Sequence, residues 1–299
     1  MTSLASILLL LGLAPFGLAQ IEREPNDRPA DATSLARTRT GQPDFLVGRA
    51  ADGVVERGHL EPGDVDYYAF AARAGDVLTV SIFESGRGAF ADPVLAVLGP
   101  GDVEPVAIDD DAGPGFLPRL AVPIDRTGVW TIAVTGFGDA EFDGGEHEER
   151  FAYDLVVAVA PDAVARRERE LRGGHGSALR AEPVAVPPER AVVVTGDLAP
   201  GDVDRFRVAL PPHMLLTASL YDAAAGEFND SRLELQDSRG RQLAQDDDSG
   251  PGFLSNLAAA GGQRSAAVVA VSGFDPHPED ALGHPERFHY RLVLSLRRE

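Results

Sequence analysis

The chain has 299 residues, 44% of them hydrophobic, enough to build cores in two domains of ordinary size. It carries 47 acidic against 27 basic side chains, a formal net charge of -20 that repels phosphate backbones and argues against nucleic acid as a partner. With no cysteine, disulfides, thiolate metal sites and a cysteine nucleophile are all excluded.

In chain order, Met1 to Gln20 hold no charged side chain, and Ile7 to Leu13 are almost wholly aliphatic. Gly17-Leu18-Ala19 supply the small residues a signal peptidase needs, so residues 1–19 read as a signal peptide. The run is short for a bilayer and Pro15 interrupts it; an uncleaved anchor is the alternative. The mature chain is therefore expected in a secreted or periplasmic location, without a membrane span.

Glu22, Glu24, Asn26 and Asp27 follow, an oxygen-rich segment. Leu78, Val80 and Ile82 then alternate with Thr79 and Ser81, as do Trp130, Ile132 and Val134 with Thr131 and Ala133. A period of two marks strands with one apolar face. Tyr153, Leu155 and Val157 predict a closing strand. Residues 161–185 change texture, with Arg166, Arg167, Arg169 and Arg172 clustered before glycines and prolines. They read as a solvated linker with some helical character, or as a basic cluster docked on an acidic face.

The remainder repeats the first half. Gly58–Tyr68 recurs as Gly196–Phe206, Asp109–Phe116 as Asp246–Phe253, Val134–Phe137 as Val271–Phe274, and Glu149–Leu155 as Glu286–Leu292. Four blocks in one order establish a duplication. The expected fold is all-β: two tandem antiparallel β-sandwich domains, residues 20–160 and 186–299, joined by the linker.

The first copy resembles the bacterial pre-peptidase C-terminal (PPC) domain family. The residues that carry the likeness are Glu24-Pro25-Asn26-Asp27, Gly63-Asp64-Val65-Asp66-Tyr67-Tyr68, Asp109–Asp111, Gly128–Val134 and Tyr153-Asp154-Leu155. The second copy is degenerate, with Ala181-Glu182-Pro183-Val184 in place of the opening motif and Ala267 in place of Trp130. The resemblance implies a jelly-roll-like sandwich, an accessory role beside secreted peptidases, and in some relatives calcium or extracellular polymer binding. No peptidase segment is present in this sequence.

Read from the residues, a calcium site is expected in the first domain. Calcium takes six to eight hard oxygens at flexible distances, and Glu22, Glu24, Asn26 and Asp27 laid against Asp64 and Asp66 supply that set. The Asp109–Asp111 and Asp246–Asp248 runs could hold a cation, but side chains bonded to main-chain N–H groups are the reading preferred here. His277, His284 and His289 lie among acids, yet only His284 has a counterpart, His147, in the first copy. Tyr67, Phe83, Phe90, Phe116 and Phe137 are expected mainly in the core. No Gly-x-Ser-x-Gly, His-Glu-x-x-His or phosphate-binding loop occurs, so no enzymatic activity is expected. The function read from the sequence is an exported binding or accessory protein. Its partner would be an extracellular or envelope protein or a polysaccharide. A structural spacer and a hydrolase of another type are the alternatives.

Overall fold

A computed structural model describes residues 20–35, 54–85, 91–113, 116–139, 141–145, 147–161, 163–169, 177–188, 190–222, 230–249, 254–261, 266–275 and 287–298. The leader segment 1–19, Phe90, His277 and His284 lie outside them.

Among the described residues, twenty strands form four five-stranded sheets. In the first domain these are β1 (Gln20–Ile21), β2 (Thr33–Ser34), β3 (Val54–Leu60), β4 (Asp66–Ala72), β5 (Val77–Glu84), β6 (Pro93–Leu98), β7 (Ala107–Asp109), β8 (Arg119–Pro123), β9 (Gly128–Gly136) and β10 (Phe151–Ala160). Their sheets run β1-β3-β10-β5-β8 and β2-β4-β9-β6-β7. The second domain has β11 (Val164–Arg167), β12 (Glu182–Val184), β13 (Arg190–Leu198), β14 (Asp204–Ala209), β15 (Met214–Asp222), β16 (Ser231–Gln236), β17 (Gln242–Asp246), β18 (Asn256–Ala260), β19 (Ala266–Gly273) and β20 (Phe288–Arg298). Its sheets run β11-β13-β20-β15-β18 and β12-β14-β19-β16-β17, the same order strand for strand. The last eight strands of each domain interleave as a jelly roll.

Two features depart from the sequence expectation. The sandwiches are antiparallel except at one edge of each sheet, where β1, β2, β11 and β12 pair in parallel with β3, β4, β13 and β14. And the described residues of the stretch 161–185 are not a solvated linker: β11 and β12 belong to the second pair of sheets, with a short 3-10 turn at Ala178–Arg180 before β12. Arg166 pairs with Glu182 and Arg167 with Asp197, so this basic stretch is held on the acidic second domain. The charges that made it look solvated are what dock it.

In the first domain the opening segment therefore runs from the edge of one sheet to the edge of the other, a clasp between them, and in the second β11 and β12 take the same two edges. Beneath it the two cores are built alike. Gly58 on β3 lies against the Tyr153 ring and Gly196 on β13 against that of Tyr290, each so close that a Cβ would stand 2.2 Å from ring carbon.

The alternation in β5 and β15 puts Leu78, Val80 and Ile82, and Leu216, Ala218 and Leu220, into the cores. The intervening hydroxyl residues are buried too, because the two domains pack against each other through that face. Thr79 Oγ1 meets Ser295 Oγ at 2.9 Å. The buried Arg119 guanidinium donates to Thr217 Oγ1 (2.5 Å) and Ser81 Oγ (2.7 Å). Tyr221 Oη donates to the Ala121 carbonyl and Asn256 Nδ2 to that of Ile108.

Candidate metal centre

The first clasp holds the expected residues. Glu22 N donates to the Arg57 carbonyl, extending the β1 pairing by one residue, and Tyr67 N donates to the Asn26 carbonyl where the segment crosses to β4. These bonds swing the side chains of 22–27 over the start of β4. Carboxylate oxygens of Glu22, Glu24 and Asp66 lie within 4.8 Å of one another, and so do those of Glu24, Asp27 and Asp64. Glu24 is common to both groups. Asn26, fully buried, stands between them: turned nitrogen inward, its amide reaches Glu24 Oε2 at 2.9 Å and Asp66 Oδ1 at 3.2 Å. Turned oxygen inward, it adds one more hard ligand. All six sequence-predicted residues are thus brought together.

The electrostatics are those of a site short of positive charge. Asp66 is pushed up to about 9, first by burial and then by the charge of Glu22. Asp64 is pushed up to about 6 by burial and by Glu24, and burial raises Glu22 as well. The hydrogen bonds give the same reading by proton counting. Asp66 Oδ2, Tyr153 Oη, Tyr68 Oη and Glu22 Oε2 form a chain with contacts of 2.5, 2.6 and 2.6 Å. Three contacts need three hydrogens, and two tyrosines supply two. The third sits on a carboxyl, and the raised Asp66 is where it belongs. Glu22 Oε1 also accepts the His59 N–H.

Among the described residues the second clasp keeps the frame, with Glu168, Asp202 and Asp204 where the first has Glu22, Asp64 and Asp66. Glu168 takes the place of Glu22: its N–H donates to the Thr195 carbonyl, its Oε1 accepts the Asp197 N–H, and its Oε2 accepts from Tyr290. This corrects the alignment of Glu182-Pro183 with the opening motif, since Glu182 lies on β12 and corresponds to the far end of the clasp. The signal was present. Glu22-Arg23-Glu24 recurs as Glu168-Arg169-Glu170, but out of step with the other repeat blocks, and Leu171-Arg172-Gly173 replaces Pro25-Asn26-Asp27.

The Asp runs serve the main chain. Asp109 Oδ2 accepts N–H groups from Ala112 and Arg119, and Asp246 Oδ2 that of Asn256, the residue equivalent to Arg119. Burial raises both carboxyls, Asp246 to about 6. His289 is exposed and bonds Asp197, while His147 is buried against the Asp64 carbonyl at 2.8 Å. Of the aromatics expected in the core, Tyr67 is buried, but Phe83, Phe116 and Phe137 are exposed. The latter two sit in loops, where strand alternation has no say.

No protein-family model and no curated protein sequence matches the chain. Solved structures similar to it include the periplasmic g-type lysozyme inhibitor PliG of Aeromonas hydrophila (18% identity over 48% of this chain and 99% of that one, TM-score 0.30). The Salmonella Typhimurium PliG (16%, 39% and 94%, TM-score 0.25) and the CUB1-EGF-CUB2 segment of human MASP-1/3 (10%, 80% and 99%, TM-score 0.23) are others. Likenesses this distant assign the chain no function.

Proposed function

We propose that this is an exported, non-catalytic binding or accessory protein whose first domain is clasped by a calcium ion. The supporting observation is the convergence of Glu22, Glu24, Asn26, Asp27, Asp64 and Asp66 on one sheet edge, with a carboxyl proton left over in the ion's absence. Calcium would bind Glu22, Glu24, Asp64 and Asp66 as carboxylates, displace that proton and tie the opening segment to both sheets. The resemblance to pre-peptidase C-terminal domains points the same way. The partner in this reading is an extracellular or envelope protein or a polysaccharide. The buried domain junction favours one second reading, a rigid surface spacer.

The calcium reading makes a signed prediction. Asp64 and Asp66 have folded values raised above the unfolded 3.8, so the ion-free native state holds protons the unfolded chain releases. Stability without metal therefore falls as pH rises from about 4 towards about 9, and calcium, competing with those protons, stabilises most at the alkaline end. Saturating calcium at pH 8 should raise the melting temperature by ~5–10 °C over EDTA, and by less at pH 5. Calorimetry in buffers of different ionisation enthalpy should show proton release on binding. Identical melting in EDTA and millimolar calcium at pH 8 would sink the reading.

A further inference from the structure

The second domain carries the same buried device with one hydroxyl fewer. Tyr290 Oη lies 2.9 Å from Glu168 Oε2 and 2.8 Å from Asp204 Oδ2, in a pocket where Glu168 is 8% and Asp204 0% exposed. In the first domain two hydroxyls, Tyr68 and Tyr153, span the gap between the carboxyls; in the second, Phe206 replaces Tyr68 and one hydroxyl touches both. A phenol has one hydrogen to give. Two short oxygen–oxygen contacts need two, and without the second one of them would press bare lone pairs together in a dry site.

We infer that the second domain's clasp is held by a proton: Asp204 stays protonated and donates to Tyr290 Oη, which donates to the Glu168 carboxyl. The surroundings agree. Among the described residues, Asp202 adds a further negative charge, and Glu182 beside the clasp is taken by Arg166 and the Arg169 N–H. Arg167 and His289 are both engaged with Asp197, whose N–H in turn holds Glu168. On the neighbouring strand β19, the apolar Val271 stands opposite Asp204. Burial first, then contact with Glu168, lifts Asp204 to about 9.

What the proton holds is the end of β11, the strand by which the second domain grips the connection from the first. Stability contributed by this group is fully present below the unfolded value of 3.8 and declines as pH rises from about 4 to about 9, the sign expected of a raised carboxyl. Above that pH, Glu168 and Asp204 are both charged and β11 should release. The inference stands whether or not the first domain binds calcium.

The test uses the full chain with Asp204→Asn, whose amide donates to Tyr290 Oη as the protonated acid does. Wild type should lose ~3–6 °C of melting temperature between pH 6.5 and 9.5 beyond any loss shown by Asp204→Asn, and limited proteolysis near residues 164–169 should accelerate only in wild type. Tyr290→Phe, which breaks the chain at its centre, should melt lower than wild type already at pH 6.5. Equal pH dependence in wild type and Asp204→Asn would overturn the proton clasp. So would calcium raising the melting temperature of Asp66→Asn but not of Asp66→Asn/Asp204→Asn, which would make the second site a metal site too. Calcium indifference of wild type, with the Asp204→Asn difference intact, would remove the first-domain reading alone.

Discussion

The two domains are one topology with two interiors. Both close a jelly roll with a parallel edge strand on each sheet, and both wedge a tyrosine ring onto a glycine beneath the clasp. They diverge where chemistry is concentrated. On β4 and β9 the first domain pairs Phe70 with Trp130; the second pairs Val208 with Ala267 on β14 and β19. Its core regains volume through Leu210 and Met214, at positions held in the first domain by Ala72 and Asp76. At the clasp, Glu168, Asp202 and Asp204 stand where Glu22, Asp64 and Asp66 do, while Phe206 replaces Tyr68 and, in the sequence, Arg172-Gly173 replace Asn26-Asp27. Strand order thus tolerates an exchange of core side chains that keeps the polarity of each layer, while the buried contacts of the clasp change with a single hydroxyl.

The largest effect should separate the cores. Trp130 is 1% exposed, donates Nε1–H to the Arg126 carbonyl and lies under the Arg126 guanidinium. Trp130→Ala should destabilise the first domain by ~3–5 kcal/mol in denaturant unfolding, because no Leu210 or Met214 stands by to refill the space. A loss under 1 kcal/mol would mean the first core relaxes as the second has done.

A smaller effect tests whether the domains act as one body. Arg119 is buried between them, lowered to about 10 by burial and then by Arg297, and donates to both Ser81 and Thr217. Arg119→Ala leaves those hydroxyls without their donor at a dry boundary, a loss of ~1–3 kcal/mol. One calorimetric transition in wild type should broaden into two in the variant. Two resolved transitions already in wild type would show the junction to be weak.

Much of this was legible in the sequence, and the failures have physical causes. Alternation in Leu78–Ile82 identifies a strand and its core face, but it cannot tell solvent from a second sheet on the other face, so Thr79 and Ser81 gave no hint of the junction. The clasp residues of the first domain could be grouped from the sequence because oxygen-bearing side chains crowd into residues 22–27 and 64–66, two short segments that the fold sets side by side. Glu168 could not, because its clasp has a different length from the first and the Glu-Arg-Glu match falls out of register with the strands around it. The charges of Arg166 and Arg167 mark solvation in isolation; only their pairing with Glu182 and Asp197 reveals strand β11.

The finest comparison concerns one hydroxyl. Tyr68→Phe gives the first domain the aromatic of the second, removing the donor to Glu22 Oε2 and the 2.6 Å link to Tyr153. Without metal, Glu22 keeps the His59 N–H on its other oxygen, so the loss should be modest, ~1 kcal/mol. With calcium bound, the ion takes over the satisfaction of that carboxylate and the loss should shrink further. The ratio of the two, read from unfolding in EDTA and in calcium, therefore reports whether the tyrosine relay and the metal serve the same oxygens. An equal loss in both conditions would mean they do not, and that Tyr68 belongs to the core alone.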